Sequence, residues 1–366
     1  MKKLLVLSLI SLMFVSSFAL KVIMVTDVGG LGDKSFNDGT WAGVQMAMEQ
    51  LPNVEGELII SKEQTDYVPN LTNAAQRGDV VIGVGFMMAD ALFNIAAQYP
   101  NTFFIGIDIE PSPGQTVPNN LALYTFKEHE AGFLGGYVAA AMTKTGRIGF
   151  VGGLEIPPVK RYEIGYRAGV AAYNQIHGTN VQVIIGYAAS FEDPAKGKQL
   201  TLSQYGNGAD IVFACAGATG NGVIDAAKET GMSFYGLPAN APLQQVIDKY
   251  YEKGQGYFAI GVDVDQDYMQ PGYVLLSITK KIDVATFEGI NSALSARYFQ
   301  SGHNNLGIVD DGVGISPMKY TKGLIPNEVI AELAYLQTLA KEGKINIPQS
   351  EAELGSFNAS NIVFPF

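Results

Sequence analysis

Asp27, Asp108 and Asp263 each follow a run of apolar residues that reads as a β-strand, and the pair Gly85-Phe86 follows another. In open parallel sheets ligands sit beyond the carboxyl ends of the strands, so residues at these ends are placed to touch one. Carboxylates there accept hydrogen bonds from hydroxyl or N–H donors, and they repel phosphate. Catalysis asks for more than acceptors, and the usual arrangements fail. The turn Gly29-Gly30-Leu31-Gly32-Asp33-Lys34-Ser35 follows a strand and opens a helix, as a phosphate loop does. A Walker loop requires glycine immediately before Lys-Ser and again five residues earlier, where this chain has Asp33 and Val28. A dinucleotide fingerprint starting at Gly30 requires glycine at the place of Ser35. The chain has no Gly-x-Ser-x-Gly elbow, His-Glu-x-x-His or Cys-x-x-Cys. His129, between charged neighbours at a helix start, reads as a structural hydrogen-bonding residue, and His177 and His303 lie in polar, turn-like settings without a partner motif. The single Cys215 cannot make an internal disulfide, and three histidines with one cysteine argue against a zinc site.

The elements that must hold these residues alternate. Strand-length apolar runs fall at 21–26, 57–60, 79–84, 102–107, 121–124, 147–151, 181–186, 210–214 and 258–262. Between them lie segments of helical period, including 35–51, 89–98, 128–143, 160–177, 219–230 and 284–300. Strands rich in Val and Ile without clean alternation are buried on both faces, as in parallel sheets covered by helices. The expected class is α/β, with two doubly wound lobes. A chain of 366 residues, 47% hydrophobic and 16% charged, suits two globular units. Its formal net charge of −11 argues against a nucleic-acid polymer or anionic lipid as partner.

The start, Met1-Lys2-Lys3, an apolar run over 4–15 and Ser16-Ser17-Phe18-Ala19, reads as a secretory signal cut after Ala19. The run is shorter than the roughly 20 residues of a spanning helix. No cysteine follows the cut, so the lipid-anchor signal of bacterial lipoproteins is missing, and a soluble periplasmic or extracellular protein is expected.

Several motifs are similar to those of the basic membrane protein family, the PnrA-like purine-nucleoside receptors of ABC importers. They are Asp33-Lys34-Ser35-Phe36-Asn37 with Trp41-Ala42-Gly43, then Phe126-Lys127-Glu128-His129-Glu130-Ala131, and Gly149-Phe150-Val151-Gly152-Gly153 with Ile156-Pro157-Pro158. Gly165-Tyr166-x-Ala168-Gly169, Ser190-Phe191-x-Asp193 and Ala216-Gly217-Ala218-Thr219-Gly220 follow. Gly261-Val262-Asp263-x-Asp265-Gln266 and Ser277-x-x-Lys280-Lys281-x-Asp283 complete the order, which spans about 21–348. The stretch 228–260 looks longer than the family's spacing, and an added helix near the second lobe's rim is expected there.

The resemblance implies a type I periplasmic-binding-protein fold joined by three crossings, near Thr125, Ser277 and His303. Residues 20–125 plus 279–303 would form lobe one, and 126–278 plus 304–366 lobe two, with the ligand between them. It also implies Phe36 and Phe191 as a stacking pair for a base, each contact worth about 1–3 kcal/mol. Asn37 and Asp108 would read the base edge, and Asp263 with Lys280, rather than Lys281, would hold the ribose hydroxyls. Asp27 would either touch ligand or organise the turn at Asp33. Gly217 would allow close backbone approach, Gly85 and Phe86 would line the lobe-one wall, and Trp41 would pack inward. The implied partners are a nucleoside, an ABC permease and its cytoplasmic ATPase, with no enzyme activity, no cofactor and a monomeric receptor. Readings left open are a ligand-presenting sensor and a binder of a sugar or another small ligand.

Overall fold

The computed structural model describes residues 19–295 and 297–366; residues 1–18 of the expected signal segment lie outside them. The strands are β1 (Leu20–Val25), β2 (Val54–Ile59), β3 (Val80–Val84), β4 (Phe103–Ile107), β5 (Leu121–Phe126), β6 (Arg147–Gly152), β7 (Gln182–Tyr187), β8 (Ile211–Cys215), β9 (Phe258–Asp263), β10 (Val274–Lys280), β11 (Gly302–Leu306) and β12 (Val313–Ile315). They form two six-stranded sheets, ordered β11-β5-β4-β3-β1-β2 and β12-β10-β9-β8-β6-β7. Pairing is parallel except for β12, which runs antiparallel to β10. Every residue of β3, β8, β9 and β10 is buried, as Val/Ile runs covered by helices on both faces require.

The helices are α1 (Phe36–Gln50), α2 (Tyr67–Arg77), α3 (Ala89–Gln98), α4 (Glu128–Met142), α5 (Pro157–His177), α6 (Pro194–Gly206), α7 (Ala218–Tyr235), α8 (Leu243–Lys253), α9 (Ile282–Ala293), α10 (Asn327–Lys341) and α11 (Glu351–Ser356). None of the described helices is long and apolar enough to cross a membrane. The helical period expected over 284–300 stops at Ala293.

The chain passes between the sheets three times, after Phe126, after Lys280 and after Leu306. The last lies beyond His303 because β11 carries that residue alongside β5, where His303 pairs with Leu123. Helix α8 exists but sits away from the rim. Tyr250 of α8 packs on Phe258, at the amino end of β9, with ring centroids 5.7 Å apart, and Leu243 abuts Gly272 just before β10. These are the ends of the second sheet farthest from the strand ends that carry Asp263 and Lys280.

Register brings the carboxyl ends together. Val25 pairs with Gly83 and Val84 with Ile107, so the loops beginning at Thr26, Gly85 and Asp108 open side by side. In the second sheet Gly152 pairs with Cys215, and Asp263 with Thr279. Helices α4 and α5 meet through glycines. A methyl group at Gly165 would lie 2.1 Å from the His129 carbonyl oxygen, and one at Gly136 2.0 Å from that of Tyr166. This close crossing seats Tyr162 of α5 beside the first turn of α4.

Candidate ligand cavity

One cavity lies between the two sheets, and Asp27, Phe36, Asn37, Gly85, Phe86, Asp108, Phe191, Gly217, Asp263 and Lys280 all line it. The first six come from the first lobe, and Phe191, Gly217, Asp263 and Lys280 from the second. Trp41 is half-buried against the core and does not line the cavity.

At the cavity floor Lys280 is 3% exposed and ends β10 at the second crossing. Its ammonium lies 2.5 Å from Asp108 Oδ2, 3.6 Å from Glu128 Oε1 and 3.8 Å from Asp263 Oδ1. It also sits over three rings, 5.1 Å from the centroid of Phe36, 5.3 Å from Phe126 and 5.5 Å from Tyr162. Burial alone would depress its basicity, but Asp108, Asp263 and Glu128 together hold it above the ordinary lysine value. Burial conversely raises Asp108 and Asp263, because one ammonium cannot offset every carboxylate around it. Arg161 backs the group, with Nε 2.6 Å from Glu128 Oε2.

Each carboxylate is aimed by its backbone. Asp108 and Asp263 both adopt the left-handed region, with φ of 55° and 64°, a strained turn that directs a strand-end side chain into the cavity. Asp263 Oδ2 accepts from Ser35 Oγ at 2.6 Å, and its Oδ1 accepts from the Tyr162 hydroxyl at 3.3 Å. Asp108 Oδ1 is buried and has no hydrogen-bond partner among the described residues. An unpartnered buried carboxylate oxygen is costly, which suits an acceptor kept for a ligand donor.

The opposite end is built on the Asp33–Asn37 turn. Asp33 accepts from the main-chain N–H groups of Ser35, Asn37 and Asp38, tying down the first turn of α1. Asn37 spends both amide hydrogens inside the protein, on Asp27 Oδ1 at 2.8 Å and Asp33 Oδ2 at 3.1 Å. The donor capacity expected of it toward a base edge is therefore taken up, and its oxygen, facing the Asp27 N–H at 3.3 Å, is what remains. Asp27 Oδ1 also accepts from Gly29 N at 2.8 Å, while a methyl group at Gly85 would stand 3.2 Å from Asp27 Oδ2. Burial pushes both Asp27 and Asp33 up to about 6. Phe191 packs so close to Gly153 that a methyl there would meet its ring at 2.3 Å, and Gly217, with φ of 55°, opens α7 beside it.

Sequence reading missed Tyr162 and Glu128 as members of this group, along with the apolar wall of Ile156, Pro158 and Val159. Glu128 and Ile156-Pro157-Pro158 belong to motifs of the sequence, but only the α4–α5 crossing brings them together on Lys280 and the cavity. The arrangement offers four aromatic rings, those of Phe36, Phe86, Tyr162 and Phe191, with a buried cation and several acceptors. Among the described residues no cluster is suited to hold a metal ion.

Two open parallel sheets facing one another across such a cavity are the architecture of periplasmic solute-binding proteins, and solved structures agree. An ABC transporter solute-binding protein of Aeropyrum pernix superposes with a TM-score of 0.79 at 27% identity, covering 92% of this chain and 96% of that one. An ABC transporter periplasmic solute-binding protein of Actinobacillus succinogenes, with bound D-allose, shares the fold at a TM-score of 0.60 and 13% identity, over 83% of this chain and 99% of its own. The family of PnrA-like ABC transporter substrate-binding proteins matches residues 20–351, and the chain belongs to it. Relatives include a CD4+ T-cell-stimulating antigen of Listeria monocytogenes, 30% identical over 91% of this chain and 89% of that protein. The ABC transporter nucleoside-binding protein BmpA of Lactococcus lactis is 29% identical over 90% and 89%. An uncharacterised lipoprotein of Pyrococcus horikoshii is 28% identical over 92% and 78%. The protein is thus a substrate-binding protein of the ABC transporter type.

Proposed function

We propose that this protein captures a nucleoside, a purine nucleoside foremost, outside the cytoplasm and delivers it to an ABC permease driven by a cytoplasmic ATPase. The observation that carries the reading is the pairing, in one cavity, of Phe36 and Phe191 from opposite lobes with the group around Lys280. Rings on two walls suit a flat base, and the carboxylates with the ammonium suit a vicinal diol that both donates and accepts. In this reading Asp263 and Lys280 take the ribose, Asp108 Oδ1 accepts from the ligand, and Asn37 serves mainly to hold Asp27. Gly85 and Gly217 keep the walls free of side chains, and Phe86 extends the lobe-one side. Binding and release require no nucleophile or cofactor, so the protein acts as a receptor and not as an enzyme. The naming of the Lactococcus relative as nucleoside-binding supports the ligand class.

In this reading the basic start and the Ser17-x-Ala19 cut mark the chain for export, and a soluble mature chain beginning at Leu20 is expected. The one cysteine of the sequence, Cys215, is buried at the end of β8, whereas the Pyrococcus relative is named a lipoprotein. N-terminal sequencing of the exported fraction checks this; an intact Met1 or recovery in detergent alone contradicts it. For the ligand, mass spectrometry of material carried through gentle purification is expected to show a nucleoside mass. A sugar or another small molecule in its place would overturn the assignment.

A further inference from the structure

We propose that Gln266 and Ser35 are positioning residues that clasp the two lobes and set how long a ligand is held, without touching it. The inference rests on the solute-binding reading above. Neither residue lines the cavity, and they are 1% and 0% exposed. Gln266 Nε2, in the second lobe, donates to the main-chain carbonyl of Lys34 in the first at 2.8 Å. One residue on, Ser35 Oγ returns the contact by donating to Asp263 Oδ2 at 2.6 Å.

Each half of the clasp is braced within its own lobe. Gln266 Oε1 accepts from Val262 N at 2.9 Å, and its main-chain N–H donates to Ser277 Oγ at 2.9 Å. Ser277 Oγ in turn donates to Asp267 Oδ1 at 2.7 Å, an oxygen that also accepts from Ser316 at 3.0 Å. On the other side Lys34 is held at φ of 54°, and Asp33 fixes the turn around it. The bonds between lobes form only when the lobes meet, and once the lobes part the same groups turn to water. Contacts present in one state alone shift the equilibrium toward that state, and apparent affinity follows the population of the binding-competent form. The clasp also explains Gln266 and Ser277, motif residues for which ligand binding has no use. Asp263 joins it to the site, since this carboxylate carries Ser35 on one oxygen and Tyr162 on the other.

The test uses the full mature chain carrying a fluorescent donor and acceptor on the two lobes, with inosine as probe. Gln266→Glu keeps an acceptor for Val262 but turns an acceptor toward the Lys34 carbonyl; Ser35→Ala removes one donor. Each variant is expected to widen the ligand-free interlobe distance distribution and to release inosine about tenfold faster, as for one lost desolvated hydrogen bond, with association within about twofold. Gln266→Glu is further expected to keep the preference for inosine over 2′,3′-dideoxyinosine. Unchanged distances in both variants overturn the clasp, even where affinity falls. If wild type binds no nucleoside, neither inosine nor adenosine, the nucleoside reading fails, yet wider ligand-free distances in the variants would still uphold the clasp. If Gln266→Glu does not fold, Ser35→Ala decides alone.

Discussion

The residues that meet the ligand in this account divide by what they can recognise, and single substitutions separate them. Phe36→Ala removes one ring face and is expected to weaken a nucleoside and its free base alike, by about 1–3 kcal/mol. Asp263→Ala removes the diol acceptor instead, so it is expected to abolish the preference for ribonucleoside over 2′,3′-dideoxynucleoside, which Phe36→Ala keeps. Calorimetric titration of both variants with both ligands decides, and a surviving preference without Asp263 refutes the sugar assignment. Asp27 carries a pH signature of its own. Burial raises it from 3.8 to about 6, so between those values the folded protein holds a proton that the unfolded chain has lost. Its contribution to stability therefore grows as pH falls through 6 and levels off below 3.8. Relative to wild type, ligand-free Asp27→Asn is expected to be the more stable at pH 8, and to lose about 2 kcal/mol of that advantage by pH 4. A difference that stays constant in urea titrations at the two pH values would show that Asp27 is not buried as a charge. Asp27, Asp108 and Asp263 were readable in the sequence because each ends an apolar run, and in a parallel sheet that end faces the ligand. Tyr162 and Glu128 were not, because they sit on helices whose inward faces depend on a contact between elements distant in space.

That contact sets the element scale. In Gly165-Tyr166-x-Ala168-Gly169 the sequence shows a motif without its reason; the structure supplies it, as α4 and α5 approach until backbone meets backbone. Alanine normally favours a helix over glycine by about 1 kcal/mol. At Gly165 the added methyl would stand 2.1 Å from the His129 carbonyl, and backbone cannot yield as a side-chain tip can. Gly165→Ala is therefore expected to destabilise by roughly 1–3 kcal/mol and to weaken ligand binding, as Tyr162 and Arg161 shift against Lys280 and Glu128. Gly206→Ala, at the end of α6 with nothing within 4 Å of the new methyl, is expected to be neutral or mildly stabilising. Equal effects of the two in urea denaturation would argue against the close crossing. The alternation of strands and helices was plain in the sequence because buried parallel strands read as unbroken Val/Ile runs. The place of α8 was not, since the sequence could flag extra length but not which end of the sheet would cover it.

At the scale of the whole molecule, the chain carries a net charge of −11, and Asp27, Asp33, Asp108, Glu128 and Asp263 lie in or beside the cavity with Lys280 and Arg161 among them. Such a field is hostile to phosphate and tolerant of neutral donors. Recognition of a whole nucleoside, rather than of its parts, follows from aromatic walls at one place and the Lys280 group at another. Calorimetric titration of the exported form with adenosine, AMP and free ribose puts both statements to trial at once. Adenosine is expected to bind in the micromolar range or tighter and, at 100 times its dissociation constant, to stabilise the fold by about 2.7 kcal/mol, with AMP and ribose at least a hundredfold weaker. AMP binding as tightly as adenosine, or ribose alone accounting for the affinity, would contradict a cavity built for an uncharged purine nucleoside.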